Sequence, residues 1–228
     1  MTAMLASVNS LAEALLAEAA GVDIIDLKQP AQGALGALEP AEVAHIVSNL
    51  QIATRVSATI GDLPMQPAVL LAAVQAMAAT GVDYVKIGFF PGGDWQACIA
   101  SLQAVAAQGV VMVAVLFADT QPDFAILDCL AKAGFRGVML DTADKQAGSL
   151  TQLLNAEQCQ AFVDKARNLG LFTGLAGSLR ATDVAGLLTL RPDYLGFRGA
   201  LCDQHCRTGQ LDVARIDALK QCWQSVGA

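Results

Sequence analysis

The stretch GVDIIDLK (residues 21–28) decides the fold, because its phrasing returns along the chain. GVDYVKIG stands at 81–88, GFRGVMLD at 134–141 and RPDYLGFRG at 191–199. In each, Gly or Pro closes a helical stretch and a short aliphatic run follows, the punctuation of a helix-to-strand turn. Working outward gives eight strand candidates, at 4–8, 22–28, 52–60, 83–89, 110–117, 137–141, 171–177 and 194–200. Stretches of helical spacing separate them at 9–20, 40–49, 68–80, 94–107, 123–133, 156–169 and 182–189, and 212–224 closes the series. Alternating strands and helices call for a parallel sheet. Eight even units in 228 residues predict an α/β fold with one domain over 1–228, a single (β/α)8 TIM barrel, rather than an open doubly wound sheet.

Composition agrees with a large core: 54% of residues are hydrophobic and 15% charged. A net charge of −7 argues against nucleic acid, whose phosphates require clustered Lys and Arg. The sequence lacks the long apolar run of a membrane span. Glu13 and Glu18 interrupt the first apolar stretch, which also lacks a basic start, so it does not read as a signal peptide. Cys98, Cys129, Cys159, Cys202, Cys206 and Cys222 are scattered, mostly in apolar or helical contexts, which predicts a reduced, cytoplasmic protein. The apolar content for this size is compatible with a homo-oligomer.

Strands of such a barrel are buried on both faces, so charges within them need a reason. Alternation puts Asp26 and Lys28 on one face, with Ile25 and Leu27 against the helices. The same rule turns Tyr84, Lys86 and Gly88 inward, as it does Met139 with Asp141, Gly196 with Arg198, and Arg55 with Ser57 and Thr59. Lys28, Lys86, Asp141 and Arg198 then fall at or near the C-terminal ends of different strands, where this fold builds active sites. A single Asp–Lys pair can be a structural ion pair; this many ionisable groups at one mouth favour catalysis.

A lysine amine attacks a carbonyl only when unprotonated, and burial beside a second cation disfavours the ammonium. Lys28 with Lys86 nearby therefore predicts Schiff-base chemistry, an electron sink that needs no metal or other cofactor. Asp26, Lys86 and Asp141 would move protons. The loops AGSLR (176–180) and FRGAL (197–201) place Gly177, Ser178 and Gly199 before helical stretches, beside Arg198, and suit a phosphate. The expected partner is thus a small phosphorylated carbonyl compound. His45 reads as a surface residue, and Cys202, His205 and Cys206 do not have a usual zinc spacing.

The runs DIIDLKQPAQGALGA (23–37), VSATIGDLP (56–64), DYVKIG (83–88), MLDTADK (139–145), GLAGSL (174–179) and LGFRGALC (195–202) resemble the (5-formylfuran-3-yl)methyl phosphate synthase family. The combination of D-x-K-x-P-x-x-G-x-L-G-A with M-L-D-T is the specific part. The resemblance implies condensation of two glyceraldehyde 3-phosphate molecules into a phosphorylated furan aldehyde, a precursor of methanofuran-type carriers, with release of phosphate and water. It implies the Schiff base at Lys28 and proton transfer by Lys86, with Asp26, Asp141 and Lys145 in supporting positions, Lys145 toward substrate. The chain departs from the family pattern after R-G-A-x-C, where Asp203-Gln204-His205-Cys206-Arg207 replaces a Gly-rich stretch with an arginine. Two other readings of the residues stay open: another class I aldolase or sugar-phosphate isomerase, and a non-catalytic barrel that binds phosphorylated metabolites.

Overall fold

A computed structural model describes residues 1–144 and 146–226. Its strands are β1 (Ala3–Val8), β2 (Ile24–Leu27), β3 (Arg55–Thr59), β4 (Tyr84–Phe89), β5 (Met112–Phe117), β6 (Gly137–Asp141), β7 (Phe172–Leu175) and β8 (Tyr194–Phe197). All pair in parallel and in sequence order, and β8 returns to β1, so the expected TIM barrel is present. The helices are α1 (Leu11–Ala19), α2 (Pro40–Asn49), α3 (Pro67–Ala78), α4 (Trp95–Ala107), α5 (Ile126–Lys132), α6 (Leu150–Leu153), α7 (Ala156–Asn168), α8 (Ala181–Thr189) and α9 (Val213–Val226). Among the described residues, no helix is long and apolar enough to cross a membrane.

Three local expectations are corrected. The run at 52–60 pairs only from Arg55, because Glu18 holds Gln51 and Thr54 in a turn that leaves Ile52 in solvent. The helix expected from 123 starts at Ile126, after Asp123 captures the Ala125 amide in a turn at 2.8 Å. The short α6 was not expected, since four residues are too few to show a period.

The alternation along the strands is as read. Ile25, Leu27, Val85, Ile87, Val138 and Leu140 join the helices in one core, while Leu5, Val113, Val115, Met139 and Tyr194 form a second core inside the barrel. Arg55 differs. It begins β3 at the N-terminal rim, and its guanidinium leaves the interior to pair with Asp83 at 2.8 Å.

The segment after β2 folds back over the mouth. Asp62 accepts hydrogen bonds from the amides of Ala34 and Leu35, at 2.8 and 2.7 Å, and Gln29 donates its amide to the Gly36 carbonyl at 2.7 Å. This turns Leu35 down among Phe90 and Phe117, fully buried. Gly88 leaves the space: a Cβ there would lie 2.8 Å from Leu35 Cδ1 and 2.6 Å from the Phe90 ring. Gly36 is equally constrained, since its Cβ would stand 2.3 Å from the Gln29 carbonyl oxygen. The β4–β5 side of the mouth is therefore sealed by apolar side chains, and the open side faces β6–β8.

Lower in the barrel, Gly174 allows the Tyr194 ring to cross the interior. A Cβ at Gly174 would lie 2.2 Å from Tyr194 Cζ. Gly174→Ala is expected to destabilise the fold by about 1–3 kcal/mol through overpacking. Denaturant unfolding should show a lower midpoint with an unchanged slope.

Candidate active site

A cavity of about 530 Å³ opens at the C-terminal end of the barrel. Lys28, Lys86, Asp141, Gly177, Ser178, Arg198 and Gly199 all line it. The structure thus gathers these residues, expected from separate strands and loops, around one space. Asp26 lies directly beneath, and Lys145 falls outside the described residues.

Asp26 is the centre of the polar interior and is 0% exposed. It accepts hydrogen bonds from Ser7 Oγ of β1 at 2.8 Å, Ser57 Oγ of β3 at 2.6 Å and Lys86 Nζ of β4 at 3.0 Å. Burial alone would raise its carboxyl pKa. The charges of Lys86 and then Lys28 outweigh that, with hydrogen bonds from Ser57 and Lys86, and hold the carboxyl below its ordinary value. Lys86 is only 2% exposed, so its ion pair with Asp26 is dry and geometrically fixed. Asp141, at the end of β6, accepts the amide of Thr142 at 2.7 Å.

The far wall of the cavity is built from backbone. Gly177 and Ser178 adopt φ of +108° and +52°, and Gly177 cannot carry a side chain, since its Cβ would meet Thr142 Cγ2 at 2.9 Å. Among the described residues, the amides of Gly177, Ser178, Leu179, Gly199 and Ala200 donate to no protein acceptor. Two loops therefore present convergent N–H groups to the same space, a geometry suited to an anion.

Arg198, expected beside a phosphate, lines the cavity and is held there by protein groups. Its Nε donates to the Arg207 carbonyl at 2.8 Å. Its Nη1 donates to the Ser7 carbonyl at 3.1 Å and to Glu13, and its Nη2 to Glu13 at 3.2 Å and to the Gly209 carbonyl at 2.7 Å. All five donors of the guanidinium are thus spent on protein acceptors. Arg207, half-buried, also lines the cavity and donates from Nη2 to the Gly33 carbonyl at 2.7 Å. Burial pushes its guanidinium below the ordinary value, with Asp141 and Asp62 acting the other way. Sequence reasoning missed Arg207 because it lies in an irregular loop, where no strand alternation fixes a direction.

Cys202 is buried while His205 and Cys206 are exposed, and among the described residues no three His, Cys, Asp or Glu side chains are placed to hold a metal ion. His45 lies exposed on α2 as expected.

The sequence profile of the 4-HFC-P synthase family matches residues 4–220. The chain belongs to that family. A (5-formylfuran-3-yl)methyl phosphate synthase homologue of Methylorubrum extorquens is 44% identical over 213 residues, covering 93% of this chain and 88% of its own. The synthase of Methanopyrus kandleri is 34% identical over 84% of this chain and 86% of its own, and that of Methanocaldococcus jannaschii 31% identical over 96% and 98%. Among solved structures, 3-hexulose-6-phosphate synthase superposes with a TM-score of 0.68 at 18% identity, covering 96% of this chain and 99% of its own. Phosphoribosyl anthranilate isomerase of Thermus thermophilus gives 0.68 at 16%, covering 99% and 100%. These structural likenesses concern the barrel alone. In this 4-HFC-P synthase family member, the motif D-x-K-x-P-x-x-G-x-L-G-A supplies both the Asp26 centre and the Leu35 seal.

Asp26→Asn leaves the Lys86 ammonium buried without its counter-charge and is expected to lower stability by about 3–5 kcal/mol. The folded carboxyl sits below its ordinary value of 3.8, so its stabilisation is present above that pH and is lost as the pH falls through the lower, folded value. Unfolding free energies measured on acidification should fall more steeply below about pH 3.8 in the wild type than in Asp26→Asn.

Proposed function

We propose that the protein makes (5-formylfuran-3-yl)methyl phosphate from two molecules of glyceraldehyde 3-phosphate through a Schiff base on Lys28, supplying a methanofuran-type carrier. The observation that carries this reading is that Lys28 and Lys86 line one cavity above the buried carboxylate Asp26, which pairs with Lys86, while the far wall offers free amides. Family membership supports the product, and the residue roles rest on the chemistry below.

Lys28 Nζ, as the neutral amine, attacks the aldehyde carbon and forms a carbinolamine. Lys86, the ammonium partner of Asp26, donates a proton to the carbinolamine hydroxyl, which leaves as water. The iminium withdraws electrons from the neighbouring C–H bond. Lys86, now neutral, takes that proton, and the electron pair forms the enamine. The enamine carbon then bonds to the second molecule, and loss of phosphate and a further water, with ring closure that expels the Lys28 amine, gives the furan. Asp26 steadies Lys86 through this exchange without leaving its serine partners. The amides of Gly177, Ser178, Gly199 and Ala200, with Arg207, hold a phosphate group, and Arg198 positions Arg207 from below. Desolvation already removes part of the Arg207 hydration shell, so a bound dianion gains more from it than from a surface arginine.

Incubation with glyceraldehyde 3-phosphate alone, followed by ultraviolet scanning for a furan aldehyde, tests the reading. Another class I aldolase or isomerase would turn substrate over without that chromophore, and a binding barrel would leave it unchanged. Borohydride added during turnover should fix substrate on Lys28, and mass-spectrometric location of the adduct on another lysine removes Lys28 from the role. A folded Lys86→Met variant should lose about 10²–10⁴-fold in kcat, the usual range for an acid–base group. Near wild-type turnover would end that assignment.

Arg207→Met is expected to raise KM by about ten-fold or more while leaving borohydride trapping at saturating substrate intact, since a charge-assisted contact contributes ~1.5–3 kcal/mol. An unchanged KM would move the phosphate contact elsewhere.

A further inference from the structure

Below the Asp26–Lys86 layer the barrel contains a second cavity, of about 270 Å³, opening at the N-terminal end. Leu5, Ile24, Val113, Phe172 and Tyr194 form its walls, Asp193 stands at its exposed rim, and Lys86 closes its inner end. Interiors of this fold are packed with layers of side chains, so a hollow of this size beneath the catalytic layer calls for a cause. Lys86 lines both this cavity and the mouth, and Leu5 is the other residue common to the two linings.

Three buried polar residues line the hollow, Ser57, Lys86 and Tyr194, and the Ser57 hydroxyl is already given to Asp26. Tyr194 is 4% exposed, and among the described residues its hydroxyl has no protein hydrogen-bond partner. The Lys86 ammonium carries three donors and gives one to Asp26. A buried water needs about 2–4 polar partners and occupies ~30 Å³ of liquid volume. The hollow therefore has room for a short file of waters, held by Lys86 and Tyr194 within and met by Asp193 at the rim.

We infer that this rear cavity is a solvent route to Lys86, through which the amine exchanges its proton with bulk water while substrate fills the mouth. The inference rests on the proposed role of Lys86 in proton transfer. In the step concerned, the C–H bond beside the iminium breaks, its electron pair enters the enamine double bond and the proton goes to Lys86 Nζ. The ammonium then passes a proton to a water of the rear file, which carries it to bulk as hydronium, and the reverse transfer restores it. A substrate held over the mouth by its phosphate blocks the front path. The rear path stays open throughout the cycle, so the proton removed from carbon need not return to the same carbon.

Washout of isotope from substrate reads this directly. Glyceraldehyde 3-phosphate deuterated at the carbon next to the aldehyde is incubated with enzyme in ordinary water and recovered at partial conversion. Loss of deuterium is expressed per imine trapped by borohydride, with enzyme-free loss subtracted. Ile24→Phe places a ring in the rear entrance and is expected to slow washout several-fold with Lys28 trapping retained. Ile24→Ala, which widens the entrance, should exchange as the wild type does. Tyr194→Phe removes only the hydroxyl and should also slow washout, which keeps the test decisive if Ile24→Phe does not fold. Wild-type washout in Ile24→Phe, or in Tyr194→Phe where Ile24→Phe is unfolded, overturns the rear route. Lys86→Met separates the two ideas. If it loses washout while the cavity variants do not, the route alone fails; if it washes out as the wild type does, the role of Lys86 fails and the route with it.

Discussion

A carboxylate placed inside a barrel, with no surface exposed, stays ionised only if charge and hydrogen bonds replace the water it has lost. Asp26 meets that condition with partners drawn from β1, β3 and β4: Ser7, Ser57 and Lys86. The small hydroxyl residues at those inward positions are consequently as necessary as the charges. Large apolar residues there would strand the carboxylate, and without it the Lys86 ammonium would lose its buried counter-charge. The identity of the middle layer of the barrel, and the protonation chemistry proposed above it, both depend on this one group.

The mouth divides into unlike halves. On the β4–β5 side, Leu35, Phe90 and Phe117 exclude water and give the floor a low-dielectric border. On the β7–β8 side the chain offers backbone amides and Arg207. A phosphorylated aldehyde is itself unlike at its two ends. In the proposed reaction this division would orient the substrate, anion toward the amides and carbonyl toward the lysines.

Much of this was legible in the sequence because barrel strands obey a strict two-residue alternation. Asp26, Lys28, Lys86 and Asp141 each sit in or beside a strand whose other face is aliphatic, so their direction followed from their neighbours. Gly177 and Ser178 were visible as a turn before a helix. Where alternation stops, inference weakened. Arg198 lies one residue past β8, so alternation gives its direction, but its pairing with Glu13, 185 residues away, is not visible in the local sequence. Arg207 lies in a loop with positive φ at Gln204 and His205, which no periodic rule predicts. The turn at 51–54 likewise depends on Glu18 of a different element.

The brace between Glu13 and Arg198 also dictates when the site can exist. Glu13 sits in α1 and holds Arg198, Asn9 and the Leu211 amide, so the first helix and the last loop share one polar knot. During synthesis, α1 leaves the ribosome long before β8 does, and its inward carboxylate has no cation to meet. The loop that carries Arg207 takes shape only when the two ends of the chain come together. Contacts of such long sequence separation form late and slow folding. The barrel can therefore collect most of its sheet while the proposed anion site is still incomplete, and that site is finished only with the closing of the ring.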